Sequence, residues 1–171
     1  MPRERAIAMK SIVLGLCLTA LASQAAALSC MRPDPIATFN QVAAAPEDYY
    51  VLYGQLTFDE GALPGGVSKR DFNDPEPAPI PAFFRGKGLQ RDGFTSDYIS
   101  PAELQVTCAG PWCGSARSGV DAVFFVRADS NPVQMVAGAC GGMIFEEPGQ
   151  DVLDALTSCM QGRACSAQPF Q

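Results

Sequence analysis

Six cysteines that follow an apolar leader constrain this chain most. They are Cys30, Cys108, Cys113, Cys140, Cys159 and Cys165, and a seventh, Cys17, lies inside the leader. An even set of cysteines behind an export signal is typical of a disulfide framework formed in an oxidising compartment. Six cysteines allow 15 different sets of three disulfides, so the cysteine count alone leaves their connectivity open.

The leader has the parts of a secretory signal peptide. Lys10 precedes an apolar run over 11–22 that is too short to span a bilayer comfortably. Ala25-x-Ala27 fits a cleavage site, so we predict a signal peptide over 1–27 and a mature chain over 28–171. The predicted location is the periplasm or the medium, with no transmembrane anchor after cleavage. Two alternatives are an uncleaved anchor and a lipid on Cys30, although Leu28 stands one position too late for a lipobox.

The charge and composition of the predicted mature chain narrow its function. Residues 1–27 hold three of the 12 Lys and Arg and one of the 18 Asp and Glu, which leaves 9 basic and 17 acidic residues, a net charge of −8. Such a surface repels phosphate backbones, so we predict no nucleic-acid partner. The sequence contains no histidine. This excludes the usual serine and cysteine triads and removes the commonest zinc ligand. We predict no catalytic residue, no metal and no cofactor.

The pattern of apolar residues predicts one all-β domain with two short flanking helices. Asp34 is a candidate N-cap for a helix over 35–45, and a second helix is predicted over 151–159 with Gly162 as its stop. Runs rich in branched and aromatic residues predict five strands, over 49–58, 80–90, 102–108, 121–127 and 133–140. About 144 residues suit a single core, so a five-stranded barrel is favoured and a sandwich is the alternative.

Three local features of the predicted strands are also informative. Gly54 interrupts the first strand and predicts a bulge or a sharp bend, as a small barrel needs. The segment 129–132, Asp-Ser-Asn-Pro, predicts a hairpin turn between the fourth and fifth strands. The segment 94–98 is ambiguous between strand and loop, and 108–114 is predicted to be a tight turn between two cysteines.

Several segments of the chain together resemble one known family. Ser29-Cys30 precedes a short helix and then the strand Tyr50-Val-Leu-Tyr-Gly-Gln-Leu. This order is similar to the opening of netrin-like domains, the family that includes the N-terminal domains of tissue inhibitors of metalloproteinases. Trp112-Cys113-Gly114, the strand 124–127 and the strand that ends at Cys140 are similar to their later part, and a terminal helix carries a cysteine near its end. The resemblance covers most of the predicted mature chain and implies a five-stranded OB-fold-like barrel stapled by disulfides.

The chain departs from these inhibitors at its predicted mature terminus. The inhibitors begin with Cys-x-Cys, and the first cysteine grips the zinc of the target; here Leu28-Ser29 precede a single cysteine. Metalloproteinase inhibition by that mechanism is therefore not implied. If Cys30 matches the second cysteine of the family, the resemblance implies three disulfides: Cys30–Cys140, Cys108–Cys113 and Cys159–Cys165.

The long Gly- and Pro-rich segment 59–79 is predicted to be a loop between the first two strands. In the resembling inhibitors this connection reaches the target protein, so Lys69, Arg70 and Phe72 are the predicted protein contacts. The predicted function is an exported, non-catalytic binding or interaction domain of an inhibitor-like kind. Its partner is predicted to be an extracytoplasmic protein.

Other patterns leave further functions open. The neighbouring carboxylates Asp59-Glu60 and Glu146-Glu147 suggest a second possible function, an exported hydrolase that works with carboxylates alone. A structural envelope protein is a third alternative. Half of a calcium loop is suggested by 71–76, but its turn glycine is missing and a proline intrudes, so a solvated acidic loop is expected. Trp112 lies beside two cysteines and is expected to pack.

Overall fold

The structure, a computed structural model, describes residues 30–65 and 69–167. The predicted signal peptide lies outside these residues, so its cleavage stays a prediction. The described chain is mostly β and contains two helices, α1 (Pro35–Ala43) and α2 (Gln150–Met160). Its strands are β1 (Tyr49–Phe58), β2 (Ile80–Gln90), β3 (Gly93–Val106), β4 (Cys108–Ala109), β5 (Trp112–Cys113), β6 (Asp121–Arg127), β7 (Val133–Ala137) and β8 (Ile144–Glu146).

Six strands form one curled sheet in the order β7–β3–β2–β1–β6–β8, and β4 pairs with β5 in a separate ribbon. Strands β1, β2 and β3 form an antiparallel meander, and β6 pairs with the other side of β1. Strand β7 runs parallel to β3. Because β6 and β7 also contact each other, the sheet curls into a half-barrel with its two edges brought together.

Hydrophobic residues fill both sides of this sheet. The concave side holds the inner core, whose completely or almost completely buried members include Leu52, Leu56, Phe84, Leu104, Phe124 and Met135. Since successive strand residues point to opposite faces, Val51 and Val123 lie on the convex side, where Ile36 of α1 and Leu156 of α2 cover them. The two helices cover only part of the convex side, and exposed side chains remain on β2 and β3.

Both predicted helices are confirmed, with small differences at their ends. The Asp34 carboxylate accepts a hydrogen bond from the Ala37 N–H at 2.7 Å, which caps α1 as expected. Helix α1 ends at Ala43, where the Ala44 N–H bonds the Asn40 carbonyl. Helix α2 is followed by Gly162 at φ +73°, a backbone conformation that favours glycine and stops the helix.

The strand predictions are right in position but too few in number. Strand β3 begins at Gly93, so the ambiguous segment 94–98 is strand, and it ends at Val106, before Cys108 enters the ribbon. The predicted fifth strand ends at Ala137 instead of residue 140. The short strands β4, β5 and β8 were not predicted, because two or three residues are too few to show a period of two.

The prediction of a hairpin at 129–132 is wrong. Strand β6 pairs with β1 and β8, whereas β7 pairs with β3 at the opposite end of the sheet order. The segment 129–132 therefore passes from β6, which lies next to the edge strand β8, to the opposite edge strand β7. The curling brings these edges together, which is why a short connection is long enough.

The prediction of a bulge at Gly54 is also wrong. The pairing of β1 with β2 is unbroken from Leu52 to Phe58, and the register shift lies in the pairing of β2 with β3. Gly54 faces Gly86 across the two strands, and a Cβ on Gly54 would lie 2.4 Å from the Arg85 carbonyl oxygen. Glycine is needed here because the two backbones approach closely.

Three disulfides staple the fold, and they join the pairs that the resemblance implies: Cys30–Cys140, Cys108–Cys113 and Cys159–Cys165. The first ties the segment before α1 to the end of β7, and the second closes the β4–β5 ribbon. The third ties the tail to the end of α2, and the side-chain amide of Asn40 in α1 donates to the Cys165 carbonyl at 3.0 Å. Three disulfides are typical of a protein from an oxidising compartment.

Across the described ranges, no helix has the length and apolar character needed to cross a membrane.

Candidate functional site

The predicted contact loop is held in an ordered turn. The Asp71 N–H donates to the Asp74 carboxylate at 2.8 Å, and the Asp74 N–H donates to the Asp71 carbonyl at 3.2 Å. The Arg70 guanidinium donates to the Pro75 carbonyl and closes the same turn from the outside. Phe72 lies at the tip of this turn, so the loop presents it from a defined backbone.

The same loop is fastened to the end of β3. A Glu76 carboxylate oxygen accepts from the Cys108 N–H at 2.9 Å, and the Gln105 side-chain amide donates to the Pro77 carbonyl at 3.0 Å. The acidic side chains of this segment therefore bind backbone N–H groups.

Phe72 and Trp112 form an aromatic pair between the loop and the ribbon. Phe72 is 64% exposed, and its ring centroid lies 6.2 Å from that of half-buried Trp112 at an interplanar angle of 58°. A Cβ on Gly110 would lie 2.8 Å from the Phe72 ring, so only glycine at this position leaves room for the ring. Trp112 packs as expected, and the partner that it packs against is itself exposed.

The three predicted contact residues have different environments. Lys69 is exposed next to the turn and Phe72 projects from it, whereas half-buried Arg70 bonds the loop backbone. We define Lys69, Phe72 and Trp112 as the aromatic loop surface. Arg70 supports this surface from within the loop.

A second exposed apolar region lies on the convex side of β2 and β3. Phe83 is 42% exposed and Ile99 is 59% exposed. Arg85 lies opposite Ile99 in the strand register and two residues along β2 from Phe83. The sequence did not lead us to predict this region. A usable signal is that Phe83 and Phe84 are neighbours on a strand, so one of the two must face away from the inner core.

A groove at one end of the half-barrel is the largest concavity we describe. Its volume is about 1010 Å³, near the upper end of the range for ligand sites. Tyr50 and Tyr98 form its walls, with ring centroids 6.0 Å apart, and Tyr50 is 48% exposed. Leu52 and Gly88 lie at its floor. We call it the tyrosine groove. No local sequence motif predicts it, since its residues come from β1, β2, β3, the turn between β2 and β3, and the end of α2.

Tyrosine ionisation offers a direct test of this wall. Burial raises the pKa of Tyr98 above its usual value, and the neighbouring charge of Tyr50 raises it further. Because the pKa of Tyr98 is raised, the folded protein keeps a proton that the unfolded chain loses at high pH. The free energy of unfolding therefore falls as pH rises above about 10. We expect Tyr50→Phe to lower the pKa of Tyr98.

The measurement is a spectrophotometric titration of tyrosinate absorbance. The chain contains four tyrosines, and Tyr98→Phe identifies the signal that belongs to Tyr98. An unchanged Tyr98 titration in Tyr50→Phe would contradict the coupling between the two rings.

The neighbouring carboxylates that suggested a hydrolase form ion pairs and hydrogen bonds with residues of nearby loops. The Arg117 guanidinium bonds Glu146 at 2.7 Å and Glu147 at 2.5 Å, and these hydrogen bonds raise the pKa of Arg117. Glu60 accepts from the Ser118 N–H at 2.6 Å, and Asp59 accepts from the Gly61 N–H at 2.9 Å. The two pairs thus anchor loops, and their geometry gives the hydrolase alternative no support.

No protein-family model, curated protein or solved structure matches this chain.

Proposed function

We propose that this chain is an exported OB-type binding domain that engages an extracytoplasmic protein through the aromatic loop surface. The exposure of Phe72 carries the proposal, since 64% of a large aromatic residue faces solvent on a loop fixed at several points. Exposed aromatic anchors contribute much of the binding energy at protein interfaces. The turn over 70–75 is already held by hydrogen bonds, so it loses little conformational entropy when Phe72 binds a partner.

The strand arrangement supports the OB-type assignment. Strands β1, β2, β3, β6 and β7 form a five-strand set in which β6 joins β1, β7 runs parallel to β3, and β6 contacts β7. This arrangement is consistent with a partly open Greek-key barrel that carries β8 and the ribbon as additions. In such barrels the loop between the first two strands flanks the ligand face, and Phe72 lies in the connection between β1 and β2.

Export is supported by two independent features. The leader over 1–27 has the apolar run and small-residue site of a signal peptide. The three disulfides fit an oxidising compartment. The partner is therefore a protein of the periplasm or the medium.

The test is capture of partners by the immobilised, oxidised mature chain from extracts of the periplasm and from culture medium. We expect Phe72→Ala to reduce specific capture at least about tenfold, the loss typical of a central aromatic anchor. Phe83→Ala is the matched control, because it removes another partly exposed phenylalanine from a different surface. Thermal melting of both variants checks that the fold is unchanged.

Equal capture of the same proteins by the unmodified chain and by Phe72→Ala would contradict the proposed surface. Loss of capture in Phe83→Ala but not in Phe72→Ala would place the contact on the convex side of β2 and β3. An absence of any saturable protein partner would contradict the proposed function itself.

A further inference from the structure

A glycine at the floor of the tyrosine groove leaves space between β1 and β3. Gly88 of β2 pairs with Leu52 of β1 on one side and with Ser96 of β3 on the other. A Cβ on Gly88 would lie 3.8 Å from the nearest atoms of Leu52 and Ser96, which is ordinary contact. Unlike Gly54 and Gly86, Gly88 is therefore not required by close strand approach, and its missing side chain leaves open volume.

The walls of the groove are aromatic and held in place. The Tyr98 ring lies 6.0 Å from the buried Phe84 ring at an interplanar angle of 61°, which packs it from the core side. Tyr50 contacts Tyr98 from β1 and remains 48% exposed. Each tyrosine offers an apolar ring and a hydroxyl, so the wall can make both kinds of contact.

The rim of the groove is polar and bears both charges. It is formed by amide, guanidinium, carboxylate and hydroxyl side chains, those of Gln90, Arg91, Asp92, Thr95 and Ser96. The Thr95 hydroxyl donates to the Asp92 carboxylate at 2.8 Å, which orients both groups. Arg91 and Asp92 have opposite charges at neighbouring positions, so the rim favours neither anions nor cations.

This combination matches one class of ligand. A pyranose ring has an apolar C–H face that stacks on tyrosine and a border of hydroxyls that donate and accept hydrogen bonds. A lipid chain would leave the polar rim unpaired, and a phosphate would meet Asp92 as well as Arg91. Ligand sites also occur preferentially in the mouths of β-barrels. We infer that the tyrosine groove binds a short neutral oligosaccharide, with sugar faces on Tyr50 and Tyr98 and hydroxyls on the rim.

The experiment is a titration of the oxidised mature protein with neutral tetrasaccharides of glucose and of N-acetylglucosamine, in α- and β-linked forms, followed by calorimetry and tyrosine fluorescence. We expect saturable binding of at least one sugar. Tyr50→Ala should weaken that binding about tenfold, whereas Tyr50→Phe should retain most of it because the ring remains. Inorganic phosphate and a fatty acid serve as alternative probes.

A matched pair at Gly88 tests whether the sugar occupies the floor. Gly88→Ala adds one methyl group in ordinary contact and should keep binding. Gly88→Leu should fill the groove and abolish binding. Thermal melting checks that the Gly88→Leu variant is folded. The Tyr50 variants test the groove without changing its floor.

Three outcomes would overturn the inference: no saturable sugar binding, preference for phosphate or fatty acid over every sugar, or undiminished binding in folded Gly88→Leu. Phe72→Ala should leave sugar binding unchanged, so this inference and the proposed protein contact can fail separately.

Discussion

Replacing Cys30 and Cys140 together by serine should lower the free energy of unfolding by about 4–5 kcal/mol, more than loss of either other disulfide. The two cysteines are 110 positions apart, whereas the other bridges span 5 and 6 positions. In the loop-entropy account, a cross-link that closes a long loop restricts the unfolded chain most, and the short bridges contribute only about 2 kcal/mol each. The long bridge also holds the segment that leads into α1 against the end of β7.

Urea titrations of the three double-serine variants, each with its remaining disulfides intact, measure this ranking. The midpoint and the slope are both needed, because removing a cross-link also expands the unfolded state. Equal losses for the long bridge and the two short bridges would contradict the loop-length argument.

The parts of the fold that the sequence predicted are those with local signals. The Asp34 cap, the apolar spacing of both helices and the branched residues of β1, β2 and β6 specify structure within a few positions. The first half of β3 was ambiguous, because most of its residues are polar and exposed or half-buried. Alternation between a buried and an exposed face, the usual strand signal, is therefore weak there.

Strand partners depended on information that no local pattern holds. Strands β6 and β7 are close in sequence, and turn residues lie between them, yet β7 pairs with β3. That choice follows from curling of the whole sheet, which brings its edges together. Local turn chemistry could not distinguish a hairpin from a connection between these edges.

The candidate sites divide in the same way. Phe72 was recognisable as an exposed residue because charged and turn-forming residues surround it. Its packing on Trp112 and the bond between Glu76 and Cys108 required the fold. The tyrosine groove was not predictable, since Tyr50, Gly88 and Tyr98 come together only after three strands pair.

Phe84→Ala should lower the free energy of unfolding by about 3–5 kcal/mol. Phe84 is completely buried at the centre of the inner core, where its ring packs edge-on against Phe124 at 5.4 Å and against Tyr98 at 6.0 Å. Truncation removes apolar contact and leaves a cavity that the curled sheet cannot close by moving one strand.

The adjacent residue is the matched control. Phe83 points to the convex side, since side chains alternate along a strand, and it is 42% exposed. We expect Phe83→Ala to cost about 1 kcal/mol or less. Chemical denaturation of both variants compares two phenylalanines that differ only in the face they occupy. Similar losses for the two would contradict the assignment of Phe84 to the inner core.

Phe84→Leu separates packing volume from aromatic support. It keeps much of the apolar volume and should destabilise the protein much less than Phe84→Ala does. It nevertheless removes the ring that packs Tyr98 from the core side. If that ring holds the groove wall in place, Phe84→Leu should weaken sugar binding more than its small loss of stability would suggest. Unchanged sugar binding in this variant would show that Tyr50 and the backbone of β3 are enough to position Tyr98.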